Sequence, residues 1–392
     1  MINIKKLLIY FLFFNSYKII IIFIYLLTMT LTIASIFSGI GAFEHAFMKI
    51  NKDKTKNNEE RLKYKIIFAC DIDKYCKVNY LHNYSPQIWY DDVYELTKKE
   101  CMKYRHKIDI FASGSPCQSF SIAGLRQGLE DDRGKLLFAF VKIIKYIQPK
   151  CFIFENVKGL LNFDNGNVFN WLITKLEKRY NIIYKIISPK NINFPQSRER
   201  IFIVGFLKSA SNYDFNKLVL DRLENKVEIT NLLVNYLELD VNKKYYITNN
   251  KWQCWICKQN LLDNRKMSIN GDCMICQTSR QFASWHGQFI LEYKKNANFN
   301  FCDEALNCIK NNKIIPFNIK KRRPTKSTKY EWIIKNSILR RLSPTECLLL
   351  MGFDSNLFET ICSDNQTYKQ CGNSIVVSIL EKIILKILDA KK

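Results

Sequence analysis

Apolar positions fall in short dense runs separated by amphipathic or polar stretches, and this rhythm changes along the chain. Residues 31–37, 64–70, 108–113, 151–156 and 201–207 are compact runs rich in β-branched and aromatic side chains. Runs apolar at successive positions predict strands buried on both faces. Residues 42–50, 74–83 and 135–147 carry apolar residues at helical spacing. Strand and helix alternate, which predicts an α/β fold: a parallel sheet with helices on both faces. Residues 51–61 are polar and mixed in charge and read as a solvated loop.

After residue 207 the alternation stops. Residues 208–338 hold short mixed segments, two Cys-x2-Cys pairs and a basic run, and helical patterning returns from Arg341 to residue 388. No internal repeat is visible. Residues 1–28 differ from everything else. Lys5 and Lys6 precede two apolar stretches broken by Asn15, Ser16, Tyr17 and Lys18. A spanning helix needs about 20 mostly apolar residues, and Lys18 interrupts this one. Translation is expected to start at Met29, next to the first strand, with 1–28 as upstream sequence; an anchor is the alternative. The chain therefore divides into 1–28, a catalytic unit 29–207, an inserted unit 208–338 and a C-terminal return 339–392.

Composition adds a partner class. With 60 Lys+Arg against 36 Asp+Glu the net charge is +24, and 47% of residues are hydrophobic, which excludes disorder. Excess positive charge suggests a polyanionic partner. The abundance of Lys, Ile and Asn also fits an AT-rich genome, so charge alone leaves both readings open. Residues 313–335 carry eight Lys/Arg and one Glu. The 14 cysteines are too dispersed for a disulfide scaffold.

Gly114-Ser115-Pro116-Cys117-Gln118 follows the third run. A cysteine on the turn at a strand's C-terminal edge faces the ligand crevice of an α/β sheet, where backbone N–H groups favour the reactive thiolate. The competing reading is a buried, inert cysteine. The next run ends in Glu155-Asn156-Val157 and brings a carboxyl to the same crevice, either as a general acid or as a buried structural group. Arg198 and Arg200, in Gln196-Ser197-Arg198-Glu199-Arg200, point the same way on an extended segment. They suit a phosphate or carbonyl clamp, or a surface pair with Glu199. Phe37-Ser38-Gly39-Ile40-Gly41 is a Gly-x-Gly turn without the third glycine of the dinucleotide fingerprint. Asp71 ends the second strand, placed for ribose hydroxyls, and Asp92 is placed for an adenine amine. Cys254-x2-Cys257 and Cys273-x2-Cys276, fifteen residues apart, have the spacing of a four-thiolate zinc site.

In this order the blocks resemble the DNA (cytosine-5) methyltransferase family, in particular its phage and Bacillus type. Phe37 to Glu44 resembles the cofactor block, with Ser35 where an acidic residue is usual. Pro116-Cys117-Gln118 resembles the nucleophile block, Glu155-Asn156-Val157 the acid block and Gln196 to Arg200 the QxRxR block. Arg341 to Glu346 and Gly372-Asn373-Ser374 resemble the last two. The resemblance implies a class I S-adenosylmethionine-dependent (Rossmann-like) fold with an inserted target-recognition domain. The zinc knuckle read from the cysteine spacing is not part of the family's common core, and its position within that domain suits a structural role bracing the recognition loops. It implies that Cys117 attacks C6 of a flipped cytosine while Glu155, Arg198 and Arg200 hold the base. S-adenosylmethionine would lie on Phe37, Gly39, Gly41, Asp71, Ile72, Asp92, Pro116, Asn373 and Ser374. Double-stranded DNA is the implied partner, with a monomeric enzyme, a cognate restriction endonuclease as a further candidate partner, and a cytoplasmic location (organelle or nucleus in a eukaryote). The rivals are a tRNA methyltransferase of the same family and a catalytically inert DNA-binding relative.

Overall fold

The computed structural model describes residues 30–116, 132–210, 212–217, 220, 232–238, 240–249, 267–269, 273–279, 287–293 and 337–391. Seven strands form the main sheet: β1 (Leu31–Ile36), β2 (Tyr64–Cys70), β3 (Ile88–Tyr90), β4 (Ile110–Gly114), β5 (Cys151–Val157), β6 (Tyr180–Ile187) and β7 (Arg200–Leu207). Their order is β3-β2-β1-β4-β5-β7-β6. The expectation of a parallel sheet needs one correction, because β7 runs antiparallel to both β5 and β6. Apolar runs encode burial and not direction, so this reversal is invisible in the pattern.

Alternate side chains of each strand feed two layers. Ile33, Ile153 and Val204 face one core, with helices α1 (Ala42–Lys56), α2 (Lys74–Asn83) and the C-terminal helices. Ala34, Phe152, Phe154 and Ile203 face the other, with α3 (Lys98–Lys103), α4 (Asp132–Ile147) and α5 (Asn167–Glu177). The predicted loop at 51–61 is corrected as well: α1 continues through Lys56 and caps on Asn57. An exposed helical turn needs no apolar residue, and Lys54 and Lys56 in the last turn suit the helix dipole.

A smaller sheet, β8 (Met267–Ile269), β9 (Gly287–Tyr293) and β10 (Ser337–Arg341), joins the inserted region to the start of the C-terminal return and leads into α6 (Pro344–Leu349), α7 (Asp364–Asn373) and α8 (Val377–Asp389). A buried ion network joins it to the main body. The fully buried Arg340 guanidinium donates to both Glu346 oxygens at 2.8 and 2.9 Å and to Glu292 at 2.5 Å. Glu346 also closes a capping box with Ser343 at the start of α6.

Register places the chemistry. Ile36 aligns with Cys70 and with Ser113, and Gly114 aligns with Glu155. The C-terminal ends of β1, β2, β4 and β5 thus open on one edge, around the β1/β4 switch point where α/β sheets bind ligands. Antiparallel β7 enters at that edge, with Arg200 opposite Val157.

Candidate active site

The first wall of the crevice is the turn after β1. Phe37, Gly39 and Gly41 all have left-handed backbone, at φ 53, 55 and 83°. A Cβ on Gly41 would sit 2.2 Å from the Tyr84 ring, whereas one on Gly39 would meet nothing within 4 Å. Gly41 is therefore fixed by packing, and the backbone at Gly39 borders open space. Asp71 straps the turn down: its carboxylate accepts from the Gly39 amide at 2.8 Å and the Asp73 amide at 2.9 Å. Burial pushes the Asp71 carboxyl above its ordinary range, opposed by those two amides. Ile72, next along, is 79% exposed, an apolar side chain left uncovered beside Asp71. Asp92 caps a short turn, accepting from the Tyr94 amide at 3.0 Å. The open backbone at Gly39, the Asp71 carboxylate and the uncovered Ile72 fit the ribose and base of a nucleoside cofactor.

The second wall carries the acid. Glu155 is buried near the end of β5, with Oε1 3.2 Å from Arg200 Nε. Burial raises its carboxyl above the usual range, and the guanidiniums of Arg200 and then Arg198 oppose the rise. Asn156 donates to the Ser115 carbonyl at 3.1 Å, tying the acid strand to the segment that enters the nucleophile block. Pro116 is the last described residue there; Cys117 lies outside the described residues. A Cβ on Gly114 would be 3.0 Å from Ile375 and 3.7 Å from Glu155 Oε2, so the C-terminal return closes directly over this strand end.

Arg198 and Arg200 lie on one side, as their spacing implies, but their surroundings differ. Arg200 reaches Glu155. Arg198 is buried, and its guanidinium donates to the carbonyls of Gln277 (2.7 Å), Gly372 (3.1 Å) and Ser374 (2.9 Å). It locks three distant segments together, a framework role that its sequence block does not reveal. Asn373 is exposed at the end of α7, while Ser374 is buried beside Arg198.

The second cysteine pair sits closer to this centre than a knuckle bracing remote loops would. Met274 pairs with Gln196, exchanging backbone hydrogen bonds with Pro195 and Ser197 at 2.8 Å each. Cys276 Sγ accepts from Arg198 at 3.8 Å and Arg200 at 3.9 Å. Among the described residues no group of three metal-ligating side chains occurs, and Cys254 and Cys257 lie outside them, as does the basic run 313–335. Sequence reasoning also left three groups without a role: Asn156, the Gln277 carbonyl, and Gln196, whose amide donates to the Leu350 carbonyl at 2.6 Å. Only the motif membership of Asn156 and Gln196 signalled them.

A cavity of about 610 Å³ lies outside this crevice, between the turn at Val93 and α4, lined by Lys98, Phe138 and Lys142. Among the described residues no helix is long and apolar enough to cross a membrane.

Comparison with known proteins agrees with this arrangement. The family described as C-5 cytosine-specific DNA methylase matches residues 31–389. The orphan methyltransferase M.SPRI of Bacillus phage SPR is 30% identical, over 91% of this chain and 97% of the phage protein. The type II methyltransferase M.HpaII of Haemophilus parainfluenzae is also 30% identical, over 91% of this chain and 89% of its own length. Among solved structures, the Entamoeba histolytica methyltransferase EhMeth superposes with a TM-score of 0.63 at 20% identity, covering 92% of this chain and 99% of that one. A Spodoptera frugiperda DNMT2 variant gives the same score and identity, over 92% of this chain and all of its own. These two likenesses speak to the fold, a Rossmann-like methyltransferase sheet. With the sheet order, the acid–arginine pair and the sequence match in agreement, the chain belongs to the C-5 cytosine-specific DNA methylase family.

Proposed function

We propose that this enzyme methylates C5 of cytosine within a specific double-stranded DNA sequence, using Cys117 as nucleophile. The observation that carries the reading is Glu155, buried and paired with Arg200 at the strand end beside Gly114-Ser115-Pro116. Cytosine C5 is a weak nucleophile until a group adds at C6. The Cys117 thiolate adds there, making an enamine whose electron density lies at C5. Glu155, kept protonated by burial, donates to N3 and offsets the charge that develops as the sulfur attacks. Arg200 steadies Glu155 and faces the O2 side of the ring, while Arg198 holds the wall formed by residues 277, 372 and 374.

S-adenosylmethionine, when bound, supplies the electrophilic methyl group. Asp71 holds its ribose, Ile72 and Phe37 its base, Asp92 the adenine amine, and Gly39 and Gly41 admit its methionine portion. Pro116, Asn373 and Ser374 complete the pocket. Loss of the C5 proton then expels Cys117. A base inside the duplex stack cannot reach both a thiolate and a buried acid, so the cytosine is flipped out.

The inserted region of residues 208–338 is assigned to target recognition, and its size favours DNA over the tRNA-methylating branch. From spacing we infer a zinc held by Cys254, Cys257, Cys273 and Cys276. The named relatives include an orphan enzyme and a type II enzyme, so a restriction endonuclease partner is a candidate as well.

Base-resolution mapping of cytosine methylation in host DNA and RNA after expression of residues 29–392 tests the reading. A single short methylated motif is expected, absent with Cys117→Ala. Methylation confined to RNA selects the tRNA branch, and none in either nucleic acid selects the inert one.

A further inference from the structure

Glu44 belongs to the cofactor block, yet it points away from the crevice into the core of the domain. It is wholly buried in the first turn of α1. Its Oε1 accepts a 2.6 Å hydrogen bond from Ser35 Oγ, and its carboxyl is buried beside the Tyr80 hydroxyl. Ser35 Oγ lies 2.8 Å from Ser38 Oγ, and Ser38 Oγ accepts from the Cys70 amide at 3.1 Å. Each hydroxyl has one proton to give. Since Ser35 gives its own to Glu44, the 2.8 Å contact between the two hydroxyls has Ser38 as its donor, and the Cys70 carbonyl, 3.1 Å from Ser38 Oγ, is the competing acceptor for that proton. The donors then run in one direction: Cys70 N–H to Ser38, Ser38 to Ser35, Ser35 to Glu44. The Cys70 carbonyl also accepts from the Ser38 amide at 3.0 Å, so it keeps a donor when the hydroxyl turns to Ser35.

Both outer ends of this chain lie on the crevice wall. Ser38 sits inside the left-handed turn between Phe37 and Gly39, and Cys70 immediately precedes Asp71. Phe37 has a side chain at φ 53°, a backbone conformation that L-residues with bulky side chains avoid unless their surroundings hold them there. Asp71 in turn accepts from the Gly39 amide. The hydroxyl chain and the Asp71 strap therefore close a loop, Ser38–Cys70–Asp71–Gly39, whose side-chain anchor in the core is Ser35 and Glu44, beside the pairing of Cys70 with its neighbouring strands and the Gly41 amide on the Ser38 carbonyl.

We propose that Glu44 is a positioning residue for the cofactor: it terminates the hydroxyl chain that sets the turn at residues 37–41 and the Asp71 carboxylate for S-adenosylmethionine. This rests on the cofactor reading above. Ser35 stands where the family resemblance expects an acid, and the acid here approaches the same turn from α1. Burial pushes the Glu44 carboxyl up, opposed chiefly by the Ser35 hydrogen bond. A neutral acceptor suffices for the role, so glutamine can replace it and alanine cannot.

Equilibrium binding of S-adenosylmethionine, measured by calorimetry beside thermal melting of the ligand-free chain, tests this. Ser38→Ala cuts the chain at the crevice, leaving no large cavity in the core, and is expected to weaken binding about 10-fold, the worth of one well-placed hydrogen bond. Glu44→Gln is expected to bind within about 3-fold of wild type and Glu44→Ala about 10-fold weaker, from the same consideration. The double variant Ser38→Ala/Glu44→Ala is expected to bind no worse than either single one, because both cut one chain. Wild-type affinity in Ser38→Ala overturns the proposal, and it does so even where Glu44→Ala does not fold. Losses that add in the double variant, or a Glu44→Ala chain that melts early yet binds normally, overturn it too. Absence of binding by the wild-type chain is a different failure: it removes the cofactor reading itself.

Discussion

Two glutamates show how burial assigns roles that residue type leaves open. Glu155 and Glu199 are both acids beside arginines, but Glu199 is exposed while Glu155 is buried, and burial pushes the Glu155 carboxyl toward the protonated form. Glu155→Gln is expected to lower the rate of methyl transfer about 100-fold or more while DNA binding persists. Equal loss of DNA affinity would assign the residue to recognition. The acid is also expected to set the alkaline limb of the rate profile, since activity falls as Glu155 loses its proton. Arg200 opposes the upward shift, so Arg200→Met raises the Glu155 pKa further and moves that limb to higher pH. A limb moving to lower pH would contradict the assignment.

His45 carries a separate pH signature. It is buried between the Asp354 amide, which donates to Nε2 at 2.8 Å, and the Tyr84 hydroxyl, 3.2 Å from Nδ1. Burial, then Lys49, lowers its pKa from 6.5 to about 3, against the pull of Asp354. The unfolded chain thus binds the extra proton first. Stability from this group is complete above pH 6.5 and falls as the pH drops toward 3, by at most about 1.4 kcal/mol per unit. Urea unfolding of wild type and His45→Gln at pH 7 and pH 5 should show a steeper loss in the wild type. Parallel losses would remove His45 from the account.

At the scale of elements, strand and helix positions were largely readable, and connections between them were not. Continuous apolar runs at 64–70 and 151–156 became β2 and β5 because only buried strands tolerate them. The missed strand β6 is buried only at its ends, Tyr180 and Ile187, with exposed or half-buried residues between them and Asn181 and Lys185 interrupting the apolar run. The direction of β7 leaves no trace in composition, yet it decides that Arg200 arrives at Glu155. Arg198 was legible as a motif residue but not as a lock, because its partners are carbonyls from residues 277, 372 and 374. Two element junctions give measurable consequences. Gly41→Ala forces a side chain into the Tyr84 ring at φ 83° and is expected to cost about 1–3 kcal/mol for the backbone alone. Arg340→Ala strands Glu346 in the core and is expected to cost about 3–5 kcal/mol. A melting temperature unchanged in either variant would refute the corresponding contact.

On the scale of the whole molecule, the inserted region and the catalytic sheet share a wall. The pairing of Met274 with Gln196 and the contacts of Cys276 with Arg198 and Arg200 put the second cysteine pair against the segment that carries the two arginines. Spacing along the chain predicted a zinc knuckle but not this placement, since fold contacts bring residue 276 to residue 198 across 78 positions. If zinc is bound, its removal by a chelator is expected to lower the rate of methyl transfer along with DNA specificity, followed by metal analysis of the same samples. Specificity lost at an unchanged rate would return the knuckle to the recognition loops alone.

The central claim is a covalent bond between Cys117 and cytosine, and trapping that bond tests it most directly. Duplex DNA with 5-fluorocytosine at the methylated motif blocks loss of the C5 substituent, so the sulfur cannot leave after methyl transfer. With S-adenosylmethionine present, a denaturation-resistant protein–DNA adduct is predicted, its cross-linked peptide containing Cys117, and none is predicted for Cys117→Ala. Methylation of ordinary cytosine with no trapped adduct, or an adduct on another cysteine, would contradict the account.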